Sequence, residues 1–200
     1  MPARRIVAID VAILVSDAAG ERAKAINLAL AGDRADALRF DGTHLPHITL
    51  AQQFIERARL DDLRDELDRL LRHEAPLLLG SPGLDSDHGT IFLAIDPHPD
   101  LQRVHEAVMD AIEPFEAPTG GGDAFRRNGE AIRSQDVDWV RTYRERSAYG
   151  HFRPHITVGH GVLPESVPPI DFRADRIAVC ELGRFCTCRT VLAEWRLTGS

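Results

Sequence analysis

The sequence predicts an α+β fold built as two related lobes. Three observations carry that prediction. Strand-like and helix-like stretches alternate along the 200 residues, and consecutive strand-like stretches often lie close enough to pair antiparallel. One five-residue pattern also occurs twice, once in each half. With 44% hydrophobic and 28% charged residues the chain is globular in composition, which excludes wholesale disorder and collagen-like repeats. Its length suits one domain or two compact lobes sharing a core, so residues 1–200 are read as a single bilobal unit.

Taken in order, Ile6–Val15 is an apolar run interrupted only by Asp10, as expected of a strand covered on both faces. Asp17–Gly32 reads as a helix, with Ala25, Ile26, Ala29 and Leu30 at helical spacing and Gly32 as its stop. His44–Phe54 is a second strand. Leu60–His73 is the clearest helix, because Leu60, Leu63, Leu67, Leu70 and Leu71 form one stripe on a charged surface. Pro76–Gly80 and Thr90–Asp96 read as strands joined by a polar loop. Leu101–Phe115 is helical again, with Leu101, Val104, Val108, Ile112 and Phe115 on one side. Ala117–Asp136, with Gly120-Gly121-Gly122 and Asn128-Gly129, reads as a long flexible loop, a length that is usually functional or disordered. A short helix around Trp139–Arg146 follows, then a strand at Arg153–Gly159. A hairpin closes the chain, Ala174–Leu182 and Cys186–Leu197 turning at Gly183-Arg184.

A formal net charge of −7 makes a coat for long nucleic acid improbable, since phosphate neutralisation needs a basic surface. An enzyme gripping one nucleic-acid end or one nucleotide stays open. No apolar run approaches the roughly 18 residues of a membrane span. Arg4-Arg5 before Ile6–Val15 superficially resembles a signal peptide, but Asp10 inside the apolar run fits a strand better. The three cysteines, Cys180, Cys186 and Cys188, are clustered and odd in number, which is no disulfide framework; a cytoplasmic protein with buried thiols is expected.

The chemistry lies in the repeat. Leu45-Pro46-His47-Ile48-Thr49-Leu50 recurs as Arg153-Pro154-His155-Ile156-Thr157-Val158, 108 residues later. Strand alternation puts His47 and Thr49 on one face and the aliphatic residues on the other, and does the same for His155 and Thr157. If pseudo-symmetry brings the strands together, two imidazoles and two hydroxyls meet in one cleft. Two histidines can divide general base and general acid roles, and threonine hydroxyls can donate to phosphate oxygens between them. In-line attack at phosphorus would then need neither metal nor covalent intermediate.

These paired motifs, on strands in opposite halves of a chain this long, resemble the 2H phosphoesterase superfamily, which includes 2′-5′ RNA ligase-like proteins and 2′,3′-cyclic phosphodiesterases. The resemblance implies two antiparallel sheets flanked by helices, with the active site in a central groove between pseudo-twofold lobes. It implies that His47 and His155 are the catalytic pair and that Thr49 and Thr157 bind phosphate, without cofactor or metal. The expected substrate is an RNA 3′ end or small nucleotide carrying a cyclic phosphate, opened by water or by an RNA hydroxyl, with a monomer as the working unit. The division of acid and base between the histidines is left open.

Further candidates surround the motifs. Arg153, two before His155, shares its face if the strand is unbroken, and would bind a phosphate oxygen, polarise the leaving group, or lie as a solvated edge arginine. Tyr149 and Phe152 offer either stacking on a base or core packing, the latter favoured for Phe152. Residues 117–155 hold seven arginines against five acidic residues, net +2, leaving −9 for the rest. Arg126, Arg127 and Arg133 in the loop would serve an anionic substrate, as a lid or base contact, or lie on a solvated surface. His44-x-x-His47 and His151-x-x-x-His155 have metal-site spacings, but His44 faces away from His47 in a strand and no acidic cluster accompanies either pair. A non-catalytic RNA-end or nucleotide-binding module, and a metal phosphodiesterase, are the competing readings.

Overall fold

The computed structural model describes residues 5–15 and 17–199, with Asp17 described by its backbone alone; Arg4 of the N-terminal arginine pair lies outside them. Four α-helices and nine strands are formed among the described residues. Strands β1 (Ile6–Leu14), β2 (His47–Glu56), β8 (Arg176–Leu182) and β9 (Cys188–Arg196) make one antiparallel sheet in the order β2-β1-β8-β9. In the other half, β4 (Gly83–Asp87), β5 (Thr90–Ala94) and β6 (His155–His160) form a second sheet, and β3 (Leu77–Ser81) pairs with β7 (Ile170–Ala174). The expected second sheet is thus divided, joined where the Asp96 amide donates to the Gly80 carbonyl at 2.8 Å.

Two strands escape the sequence reading. β4 reads Gly-Leu-Asp-Ser-Asp, a composition depleted in strands, and is extended because it pairs with β5. β7 precedes the expected hairpin, and the chain changes sheets at Asp175, whose carbonyl accepts from the Leu197 amide at 2.8 Å. Helix α3 (Pro99–Ile112) begins earlier than its apolar stripe suggests, because the His98 ring accepts from the Leu101 amide as an N-cap and Pro99 supplies a preset φ. The other helices are α1 (Asp17–Ala31), α2 (Leu60–Leu71) and α4 (Ser134–Arg146).

The main core lies on the odd-numbered face of β1, where Val7, Ile9, Val11 and Ile13 meet Leu63, Leu67 and Leu71 of α2 and Leu101, Val104 and Val108 of α3. Ile156 and Val158 of β6 join the same cluster, so both halves share it. The even-numbered face carries small residues. Ala8 packs with Phe54 and Phe125, while Ala12 and Leu14 pack with Cys180 and Cys188.

The segment 117–133, expected to be a loop, meets the first sheet at Ala117, Phe125 and Arg126. The Ala117 amide donates to Phe54 at 2.7 Å, the Arg126 amide donates to Leu182 at 2.7 Å, and Phe125 meets Phe54 edge-on at 6.0 Å. Gly120 is a glycine for a steric reason, because a Cβ there would stand 2.2 Å from the Phe54 ring. The helix that follows starts at Ser134, capped by Asp136, whose buried carboxylate accepts from the Arg133 amide.

Both motif strands contain a β-bulge at the same place. The register of β1 with β2 slips between Ala12↔Thr49 and Val11↔Ala51, leaving Leu50 as the extra residue. The register of β5 with β6 slips between Phe92↔Thr157 and Ile91↔Gly159, leaving Val158 as the extra residue. The fifth residue of each Pro-His-Ile-Thr-aliphatic motif is therefore the bulge. A bulge disrupts the ladder, and each freed carbonyl needs a donor from elsewhere. His105 of α3 places Nδ1 at 2.7 Å from the Leu50 carbonyl, and Asn27 of α1 donates Nδ2 to the Val158 carbonyl at 2.9 Å. Asn27 also donates to Leu38 at 2.9 Å and accepts from the Phe40 amide at 2.7 Å. Asn27→Leu keeps the size and removes these bonds, so it should cost about 1–3 kcal/mol, read as a lower denaturation midpoint at unchanged slope. An unaltered midpoint would mean that the bulge does not need its helix partner.

Candidate active site

Each motif histidine is oriented by the carbonyl two residues before it. Nδ1 of His47 lies 2.8 Å from the Leu45 carbonyl, and Nδ1 of His155 lies 2.8 Å from the Arg153 carbonyl. A carbonyl only accepts, so each neutral ring carries its proton on Nδ1 and keeps a lone pair on Nε2. Leu45 is tied down in turn, since its amide donates to the Cys188 carbonyl at 3.2 Å.

Burial favours the neutral ring at both positions. It pulls His47 down to about 4, against the Leu45 hydrogen bond and with help from the charge of His155. Burial also lowers His155, against its bond to Arg153, and the Phe92 ring stands 4.9 Å from its own.

The bulges decide what shares a face with each His-x-Thr pair. Without them, alternation would put Ala51 beside Thr49. With the register reset, Asp10 pairs with Gln52, and both lie on the face that carries His47 and Thr49. In the second half Thr90 pairs with His160, on the face of His155 and Thr157. Gln52 and His160 each stand five residues after their motif histidine, so the halves match position by position. They differ in chemistry, because Thr90 occupies the place of Asp10 and His160 that of Gln52.

Asp10 is the residue that the sequence reading missed. It is fully buried, and its Oδ2 accepts from the Thr49 hydroxyl at 2.8 Å and from Gln52 Nε2 at 2.7 Å. His47 Nε2 lies 3.5 Å from the same oxygen, and Oδ1 has no hydrogen-bond partner. Burial pushes its carboxyl up to about 8, although the bonds from Gln52 and Thr49 pull the other way. The signal was present as a lone acid in an apolar strand, read only as an interruption. Thr49, expected to face a phosphate, has its hydroxyl on Asp10.

Several other candidates stand elsewhere. β6 begins at His155, so strand alternation does not reach Arg153, whose side chain is exposed while its carbonyl holds the histidine. Tyr149 donates its hydroxyl to Asp110 at 2.8 Å and accepts from Arg144 at 3.0 Å, which commits it to the α3–α4 surface. Phe152 stacks on His105 at 3.8 Å with the rings parallel, so packing is its use. Arg126 and Arg127 line an open cleft of about 380 Å³ with Ile6, Val7 and Glu181. That cleft is at the start of β1, whereas His47 pairs with Leu14 at its end, roughly 25 Å away along an extended strand. Three of the seven arginines around the second motif are paired with acids, through Arg133–Asp136, Arg141–Asp138 and Arg144–Glu116. β2 begins at His47, short of the expected start at His44, so alternation does not reach His44, whose Nδ1 lies 3.0 Å from Asp41 and 3.1 Å from Arg189.

Residues 16–184 match the model of the 2′-5′ RNA ligase superfamily. No curated protein matches the sequence. Among solved structures, TT0787 of Thermus thermophilus is 18% identical with a TM-score of 0.57, covering 97% of this chain and 100% of its own. LigT of E. coli in apo form is 15% identical with a TM-score of 0.57, covering 96% and 98%. The same protein complexed with 3′-AMP is 14% identical with a TM-score of 0.55, covering 97% and 99%. At these identities the likeness is one of fold, and it extends over the whole chain.

The buried carboxyl has a signature in stability. Folded Asp10 holds its proton up to about 8, whereas its ordinary value is 3.8, so stability falls as pH rises between them. His47 has the opposite slope, since the unfolded ring takes up a proton near 6.5 that the folded ring refuses down to about 4. The two oppose each other below pH 6.5, and Asp10 acts alone above it. Asp10→Asn should therefore gain melting temperature over wild type as pH rises from 6.5 to 8. A constant difference across that window would show that the carboxyl ionises normally.

Proposed function

The chain belongs to the 2′-5′ RNA ligase superfamily of 2H phosphoesterases, and from that premise we propose that it opens 2′,3′-cyclic phosphates at RNA ends or on nucleotides without a metal ion. The observation that supports this most directly is the shared state of the two motif histidines. Both have Nδ1 committed to a backbone carbonyl, which leaves two Nε2 atoms for proton transfer. In the proposed reaction a neutral histidine takes the proton from an attacking water as its oxygen bonds to phosphorus. The other histidine, protonated, gives its Nε2 proton to the departing 3′-oxygen, leaving a 2′-phosphomonoester. An RNA 5′-hydroxyl in place of water would give a 2′-5′ linkage by the same transfers.

Thr157 is proposed to donate to a non-bridging oxygen, with Thr49 turning from Asp10 to do the same. A carboxyl that stays protonated to about 8 adds no negative charge beneath the phosphate at neutral pH. An occupant of nucleotide size is supported by the E. coli relative's complex with 3′-AMP. Three free thiols suit a reducing cytoplasm, and no helix among the described residues is long and apolar enough to cross a membrane.

Turnover of 2′,3′-cyclic nucleotides and of a short RNA with a cyclic end, measured in EDTA, tests the reading. His47→Ala and His155→Ala should each lose about 10²–10⁴-fold, and wild type should keep its turnover in the chelator. Full turnover in both variants would refute the two-histidine reaction, and retained binding without any turnover would leave a binding module. Because burial lowers both histidines from their ordinary 6.5, and His47 to about 4, the maximum of kcat/KM should lie on the acid side of pH 6.5. A maximum above pH 7 would contradict this.

A further inference from the structure

We propose that Asp10, His47 and Cys188 form a binding site for a thiophilic divalent cation, zinc above all, and that occupation of the site silences the phosphoesterase. The binding claim stands on geometry alone, and the silencing rests on the proposed role of His47. One ligand atom from each residue lies within 4.8 Å of the other two. Tetrahedral bonds of 2.0–2.3 Å place donor atoms about 3.3–3.8 Å apart, and His47 Nε2 and Asp10 Oδ2 already stand at 3.5 Å. The set needs only a small inward movement of the Cys188 sulfur.

The three donors come from different strands and are brought together by the fold. Asp10 is on β1, His47 opens β2 and Cys188 opens β9. Leu45 links the last two, since its carbonyl accepts from His47 Nδ1 and its amide donates to the carbonyl of Cys188. The Nδ1 bond leaves Nε2 as the atom offered to a metal, which is how ligating histidines are usually oriented. The carboxylate is also held from outside by Thr49 and Gln52, and its buried Oδ1 has no partner. Cys180 lies beside Cys188, close enough for a thiol–thiol hydrogen bond. Each ligand thus has a neighbour that fixes it.

One thiolate, one imidazole and one carboxylate select zinc over magnesium or calcium, and three protein ligands leave a fourth position for water. Binding releases the Cys188 thiol proton, and the Asp10 proton where it is present, to solvent. The metal would occupy the Nε2 lone pair that acid–base catalysis requires, so it acts as an inhibitor and not as a cofactor. The second half has Thr90 in place of Asp10, so His155 has no equivalent set.

The test titrates the intact, chelator-stripped protein with cobalt(II), then displaces it with zinc in competition with a chromogenic chelator. Wild type should bind one equivalent and show a thiolate-to-cobalt charge-transfer band. Cys188→Ser should lose that band and about tenfold or more in zinc affinity, while Cys180→Ser keeps the band. A titration without one-to-one binding, or a band that survives Cys188→Ser, would overturn the site. Both readouts are independent of catalysis, so they hold even if no substrate is turned over. In the activity arm one equivalent of zinc should inhibit wild type reversibly, and Cys188→Ser should keep zinc-free turnover and resist inhibition. One-to-one binding with turnover unchanged would overturn the silencing.

Discussion

In an antiparallel ladder one surplus residue turns every later side chain onto the opposite face, and in this protein that surplus residue is the fifth of each repeated motif. Leu50 and Val158 are both buried bulge residues. Because of them, a polar residue five positions after each motif histidine, Gln52 in one half and His160 in the other, joins the histidine's own face. The bulges also determine what the helices must provide. Each disrupted carbonyl is met by a buried polar side chain, His105 from α3 or Asn27 from α1. The motif strands are therefore held by side chains from α3 and α1.

The duplicated halves are chemically unequal. On one side His47 and Thr49 share a buried carboxyl with Gln52; on the other His155 and Thr157 share their face with Thr90 and His160. A symmetric pair of histidines could exchange roles freely, whereas a carboxyl beside one of them couples that ring to a second titrating group. The same carboxyl, with Cys188 beside it, gives His47 a set of metal-compatible neighbours that His155 lacks. Duplication provides two similar scaffolds, and the carboxyl on β1 is one of the groups that distinguish them.

Restraint of the connecting segments follows from the small-residue face of the first sheet. Ala8, Ala12 and Ala178 leave room above β1 and β8, and Phe54, Phe125 and the cysteines fill it. This is why the glycine-rich segment packs on the first sheet. Its glycines read as flexibility in one dimension, yet Gly120 is required by the ring of Phe54 in three. Arg126 and Arg127 are consequently held at the far end of β1, away from the histidines.

Local pattern was enough for the α+β class, the four helices, seven of the nine strands and the four motif residues, because periodicity and a repeated string are properties of neighbouring residues. What lay beyond it were features that depend on a partner strand or on packing: the extended state of β4, the change of sheet at Asp175, and the two bulges. Asp10 belongs with these. In the sequence it is one charge in an apolar run; only when β2 slips by one residue against β1 do Thr49, Gln52 and His47 converge on it. The motif placed two histidines in the protein, and the register of the sheet chose the carboxyl and the thiol that surround one of them.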